Sequence, residues 1–166
     1  HYPLRRQRQM CIRDRFSSAP EGTNIEDFQA KSKLDPEEMY SSLKGIVAKL
    51  DDVYIKDLLN NILNDKEIGR RLKTWQAGKT IHHAYKGGLL EHILSCSTLA
   101  YNLSAHYQVN QNYVVAGAIL HDLCKIYELT DNVNVEYTEE GKLIGHLVKG
   151  LEAVSYTHLT LPTKRI

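Results

Sequence analysis

Nothing in this chain approaches the roughly 20 consecutive apolar residues that a membrane-spanning helix needs, so no segment reads as a transmembrane span. The arginines near the start are not followed by an apolar stretch, so they do not read as a secretory signal. Cysteine is scarce: Cys11, Cys96 and Cys124 form no C-x-x-C and no paired framework. That argues against a disulfide scaffold and fits free thiols in a reducing cytoplasm. There is no internal repeat and no low-complexity tract, which removes the solenoid and fibrous classes. What is present is ordinary for a globular chain: 42% apolar and 25% charged residues in 166, enough for one domain with one core.

A strong net charge is also lacking, since the total is only +1, but the charge is unevenly spread. Residues 1–15 carry five arginines against Asp14, a balance of +4, and Lys164 and Arg165 give the last twelve residues +2, which leaves −5 on residues 16–154. An acidic centre is a poor match for a phosphate backbone, so the grip on any nucleic acid is expected to come from elsewhere. The two basic ends (1–15 and 155–166) show no helix or strand period and resemble translated sequencing-adapter read-through. The native chain is therefore expected to begin before Phe16 and to continue past Val154. Residues 16–34, polar with Ser17, Ser18, Pro20 and Gly22, read as a linker, and residues 35–154 as the domain.

Within that domain the apolar period is helical. Asp35 as N-cap, Pro36 at the first helical position and Glu37 and Glu38 in the first turn open a helix whose inner face carries Met39, Leu43, Ile46, Val47 and Leu50. A second helix spans about 53–64, with Ile55, Leu58, Leu59, Ile62 and Leu63 inward, and a charged helical stretch covers 66–75. Residues 77–88 read as a loop punctuated by glycines. Two deeply packed helices follow, over about 89–107 and 113–127, the second with Ala116, Gly117 and Ala118 to admit a close neighbour. Val133, Val135 and Tyr137 alternate with polar residues as a short extended excursion, and a last helix from about Glu139 puts Leu143, Leu147, Leu151 and Val154 on one side. The expectation is an all-α bundle of five to six helices, truncated at the C-terminus.

Three features carry chemistry. His92 shares a stripe with Leu89, Cys96, Leu99 and Leu103, and His121 with Asp122 follows the small-residue patch on the next helix. Two neutral imidazoles and a carboxylate from two packed helices suit a divalent transition metal that keeps positions open for water and substrate. His146, on the last helix, offers a further nitrogen.

The segment Ile81-His82-His83-Ala84-Tyr85-Lys86-Gly87-Gly88-Leu89-Leu90-Glu91-His92 resembles the opening of HD domains, and Ala116 through Ile126 resembles the HD motif itself. Tyr137-Thr138 and Glu140 through His146 are similar to the segment that follows it. In this order the trio is most similar to the HD-domain metal-dependent phosphohydrolases, and among them to bacterial 3′–5′ exoribonucleases of the YhaM type. The resemblance implies that His92, His121 and Asp122, with His146 as a contributor, hold a divalent ion: Mn²⁺ first, with Fe²⁺, Co²⁺, Ni²⁺, Mg²⁺ or Zn²⁺ as alternatives. It further implies hydrolysis of phosphodiesters at single-stranded RNA or DNA 3′ ends in the cytoplasm. Asp122 and Lys125 would be catalytic, with Lys125 one turn past His121 stabilising charge on phosphorus, and His82, His83, Tyr85 and Lys86 would line the phosphate approach. The family places an OB-type nucleic-acid-binding domain before the HD domain, and oligomerisation is compatible with it; no membrane partner is expected.

Two departures stand out. Cys124 replaces the family's usual glycine and is expected to put a thiol near the metal. The family's later His pair and final metal-binding Asp have no counterpart, so the chain as written is expected to have an incomplete site, marginal folding and weak hydrolysis. The alternatives are a phosphohydrolase of nucleotides or other small phosphates, and a non-catalytic regulatory HD module.

Overall fold

A computed structural model describes residues 20–23 and 29–160, with side chains described as far as Tyr156. The predictions made for residues 1–15 and 161–166, and for much of the 16–34 linker, fall outside this range. Eight helices appear among the described residues: α1 (Pro36–Ala48), α2 (Val53–Asn64), α3 (Lys66–Thr74), α4 (Gly88–Tyr107), α5 (Gln111–Leu120), α6 (Lys125–Glu128), α7 (Glu139–Leu143) and α8 (Gly145–Thr160). The fold is all-α, as expected. None of these helices is long and apolar enough to cross a membrane.

The first three helices start by one device. Asp35, Asp52 and Asp65 each sit at the N-cap in extended conformation and accept hydrogen bonds from the orphan N–H groups of the first turn. The apolar faces behind these caps close on one core, those of α1 and α3 against α4 and that of α2 against α1, α3 and α5. Leu43, Leu59, Leu72, Leu89, Leu90, Ile93, Val115 and Ile119 are wholly removed from solvent. Each such side chain contributes on the order of 1.5–3 kcal/mol of burial. α4 is the central strut, packed against α1, α3 and α5.

The bundle departs from expectation at four places. The predicted continuous helix over 113–127 is broken: α5 stops at Leu120, and hydrogen bonds across 121–127 shift from i−4 to i−3, with Lys125 N–H donating to the Asp122 carbonyl and Tyr127 N–H to that of Cys124. Such a tightened stretch turns successive side chains through a different angle from a regular helix. Gly117 is exposed, and a Cβ there would meet nothing within 4 Å, so the expected close approach is made instead by Val115, Ala116 and Ile119. On α4 the far half of the predicted stripe is uncovered, with Leu99 59% and Leu103 42% exposed, because the partner helices cover the Ile93–Ser97–Ser104 side.

The fourth difference is the last helix, which is two. Between α7 and α8 the chain turns at Gly145, whose φ of 73° lies in the left-handed region that glycine enters without strain. α8 then runs to Thr160, beyond Val154 where the patterned sequence was expected to stop. The Leu143–Leu147–Leu151 stripe exists but faces outward. The extended excursion is a minimal hairpin: a single antiparallel bridge joins Leu129 and Tyr137, flanked by Thr130 N–H to the Glu136 carbonyl.

Two long-range hydrogen bonds fix this second half on the first. Trp75 Nε1–H donates to the Leu129 carbonyl at 2.9 Å, and Arg71 Nη1 to the Ile126 carbonyl at 3.0 Å. At the other side, Lys31 pairs with Lys86 as an isolated parallel bridge, and the Ser32 hydroxyl donates to Glu91 at 2.7 Å. The end of the predicted linker is therefore docked beside the loop that precedes α4.

Candidate metal centre

α4 delivers His92 and the 121–124 turn delivers His121 and Asp122 to one spot. His92 Nε2 lies 3.1 Å from His121 Nε2 and 3.1 Å from Asp122 Oδ2, and His121 Nε2 lies 3.4 Å from that same oxygen. Donors held 2.0–2.2 Å from one ion at roughly 90–110° to each other stand about 2.9–3.5 Å apart. The triangle of two imidazole nitrogens and a carboxylate oxygen has that size. Asp122 is 7% exposed and His92 9%, while the side chain of His121 is 40% open, so the centre is walled on one side and reachable on the other.

The hydrogen bonds behind these donors orient them. His121 Nδ1–H donates to the Ala118 carbonyl at 2.9 Å, which leaves Nε2 of the neutral ring with its lone pair toward the centre. His146 Nδ1–H donates to Glu128 Oε2 at 2.7 Å and turns its Nε2 to within 3.4 Å of Asp122 Oδ1. Lys125 Nζ meets Asp122 Oδ2 at 2.8 Å. The carboxylate of Asp122 is thus the hub for three imidazoles and one ammonium.

The loop before α4 supplies another imidazole. His82 Nε2 shares a hydrogen bond with His92 Nδ1 at 3.1 Å, and the His83 ring lies 5.4 Å from that of His92 while its Nδ1 bonds the Tyr85 hydroxyl at 2.8 Å. His82, His83 and His92 place their nitrogens close enough together to count as a possible ligand group in their own right. Lys86 is held through its backbone to Ala30 and Ser32. Of the residues assigned to the phosphate approach, His82 and His83 adjoin His92 directly.

Burial pushes the pKa of His92 below its ordinary 6.5; Asp122 opposes the shift, and the neighbouring imidazoles add to it. A neutral His92 is the form that binds a cation. Because the folded pKa is depressed, the unfolded chain takes up a proton first as the pH falls. The contribution is therefore neutral above about 6.5 and destabilising below it. Thermal melts of the metal-free protein should show a flat Tm above pH 7 and a decline below pH 6.5, shallower in His92→Gln. Equal slopes in both proteins would remove His92 as the cause.

Three residues of this centre escaped the sequence reading. Glu128, which orients His146, carries no signal in the sequence, because no spacing rule links residues 18 apart across a hairpin. His82 was assigned to substrate rather than to His92. The thiol at the centre is Cys96, whose Sγ stands 3.8 Å from both ring nitrogens of His92. Cys124, expected near the metal, is not in the donor group around His92: it packs, 2% exposed, where Tyr127, Glu128, Glu140, His146 and Lys149 meet, and burial pushes its thiol up to about 11.

A helical bundle with a histidine on one helix and a His-Asp pair at the end of the next defines the HD class, and residues 89–161 match the family model of the HD domain. The chain carries an HD domain. Its relatives are similar along most of its length. It is 30% identical over 141 residues to the 3′-5′ exoribonuclease YhaM of Oceanobacillus iheyensis, covering 84% of this chain and 44% of that protein. It is 31% identical over 153 residues to the 3′-5′ exoribonuclease YhaM of Listeria welshimeri, covering 91% and 48%, and equally similar to that of Listeria monocytogenes. The chain thus spans about half the length of the curated relatives it matches. No solved structure matches it.

Proposed function

We propose that this HD domain is the hydrolytic part of a metal-dependent 3′–5′ exoribonuclease acting on single-stranded RNA or DNA 3′ ends. The observation that carries the reading is the triangle of His92 Nε2, His121 Nε2 and Asp122 Oδ2, with edges of 3.1, 3.1 and 3.4 Å. The names of the relatives supply the substrate class. When bound, a divalent ion supplies Lewis acidity toward a phosphoryl oxygen and a lowered pKa for water; Mn²⁺ suits the two-imidazole, one-carboxylate set.

The chain's own residues divide the remaining work. His92, His121 and Asp122 hold the ion, and His146, braced by Glu128, adds a nitrogen on the other oxygen of Asp122. Lys125 keeps a positive charge beside the carboxylate, with its side chain 20% exposed, where it can meet a phosphoryl oxygen that gains charge during attack. His82, His83, Tyr85 and Lys86 form the wall along which a 3′-terminal phosphate approaches. Residues 35–154 are read as the HD domain behind a 16–34 linker, and an OB-type domain of the whole protein as the main grip on the nucleic acid, in keeping with the −5 charge of residues 16–154. The cytoplasm is the compartment this chemistry suits.

The test uses protein purified without chelator or His-tag, given 5′-labelled single-stranded RNA beside the His121→Ala/Asp122→Ala variant. The expected result, slow in this chain and faster in the full-length protein, is a metal-dependent ladder shortening from the 3′ end with mononucleotide release, absent from the variant. Turnover of free nucleotides but not of RNA would move the protein to the small-phosphate hydrolases. Bound metal without any turnover, in the full-length protein as well, would favour a regulatory module.

A further inference from the structure

We propose that Cys96 is an additional protein ligand of the centre, so that the site prefers a thiophilic divalent ion such as Zn²⁺, Co²⁺ or Fe²⁺ over Mn²⁺. The inference rests on the metal-centre reading above and changes the ion that it favours. Cys96 lies one turn beyond His92 on α4, so the two side chains share a face. Its Sγ is 3.8 Å from both Nδ1 and Nε2 of His92, and one donor atom from each of His92, Cys96 and His121 lies within 4.8 Å of the others.

Nitrogen and sulfur donors at 2.0–2.1 and 2.3 Å from one tetrahedral ion stand about 3.5–3.7 Å apart. The Cys96–His92 separation of 3.8 Å is close to this value, but Sγ stands equally far from both ring nitrogens and so lies off the Nε2 lone pair; the three donor atoms lie within 4.8 Å of one another, and a change of the cysteine χ1 brings Sγ toward the ion. With Asp122 the set becomes two imidazoles, one carboxylate and one thiolate. Thiolate selects softer ions, whereas carboxylate and water suit Mn²⁺ and Mg²⁺. Binding would form the sulfur–metal bond and release the thiol proton to water, since a coordinating thiol is deprotonated outright. Cys124 does not take this part: it is 2% exposed and is not among the donors that converge with His92 and His121.

The experiment loads the metal-free chain with Co²⁺ and records its absorption, with cobalt content measured in parallel. The expected wild-type spectrum has visible d–d bands together with a near-ultraviolet thiolate-to-cobalt charge-transfer band. Cys96→Ser should keep the visible bands and lose the ultraviolet one, while Cys11→Ser and Cys124→Ser keep both. The Zn²⁺-over-Mn²⁺ preference should fall at least about 10-fold in Cys96→Ser. A second readout needs no variant: bound Zn²⁺ should slow alkylation of Cys96, followed by peptide mass spectrometry, by at least about 10-fold. Bound cobalt without a charge-transfer band, or alkylation indifferent to Zn²⁺, overturns the Cys96 assignment and leaves the His92–His121–Asp122 site standing. A protein that takes up no cobalt overturns the metal centre and this proposal with it.

Discussion

Replacing Asp122 with alanine is expected to strip the protein of its metal and to lower its stability at the same time. The carboxylate touches His92 at 3.1 Å, His121 and His146 at 3.4 Å and Lys125 at 2.8 Å, so no other side chain can take over its role. Loss of a partner behind a ligand costs 10–100-fold in affinity, and loss of the shared ligand itself should cost at least about 100-fold. The stability penalty comes from Lys125, whose ammonium would stay against the protein without its counter-charge. A fully buried pair broken this way costs 3–5 kcal/mol, but the lysine side chain is 20% exposed and can turn outward, so about 1–2 kcal/mol is expected. Asp122→Asn separates the two effects. The amide oxygen can still accept from Lys125, so most of the stability should return, whereas the neutral group binds a divalent ion poorly. Elemental analysis and thermal melts of the three proteins check this. Stoichiometric metal in both variants would show that the ion is held elsewhere.

The elements that could be read from sequence are those specified locally. α1, α2 and α3 begin at Asp35, Asp52 and Asp65, and the apolar period lies within a few residues of each start, so α2 and α3 agree with the reading to within a residue and α1 starts where expected but ends at Ala48, short of Leu50. The 121–124 turn is different. Ile119, Leu120, Leu123 and Ile126 continue a helical period straight through it, and nothing nearby is a breaker. The segment just after it is held by tertiary bonds, from Arg71 to the Ile126 carbonyl and from Trp75 to the Leu129 carbonyl, that cross more than 50 residues. Missing that turn had consequences for the site. A regular helix puts His121 and Asp122 about 100° apart and leaves the direction of Cys124 open. The observed turn converges the first two and buries Cys124 beside Tyr127, Glu128 and His146, which leaves Cys96 as the thiol beside His92.

Gly88→Ala should damage both the fold and the centre, although it adds one methyl group far from any charge. A Cβ at this position would lie 2.2 Å from the carbonyl oxygen of His83 and 2.9 Å from its carbonyl carbon. Those are backbone atoms, and the same carbonyl is held from the other side by the Ala77 N–H at 3.1 Å, so it cannot simply rotate away. The loop must shift, and with it His82, whose ring bonds His92 Nδ1. Overpacking of this kind costs 1–3 kcal/mol or more, against about 1 kcal/mol regained from the better helix propensity of alanine. The net expectation is a loss of about 1–2 kcal/mol, which for a domain of this size lowers Tm by about 3–8 °C. His92 would lose the partner that fixes its ring, with a metal affinity lower by about 10-fold. Gly45→Ala is the control: it lies on the exposed side of α1 with nothing within 4 Å of a Cβ, so the same change should be neutral or stabilising by up to about 1 kcal/mol. Were Gly88→Ala to melt with the wild type and bind metal as tightly, the loop before α4 would have to move freely, and His82 could not be what orients His92.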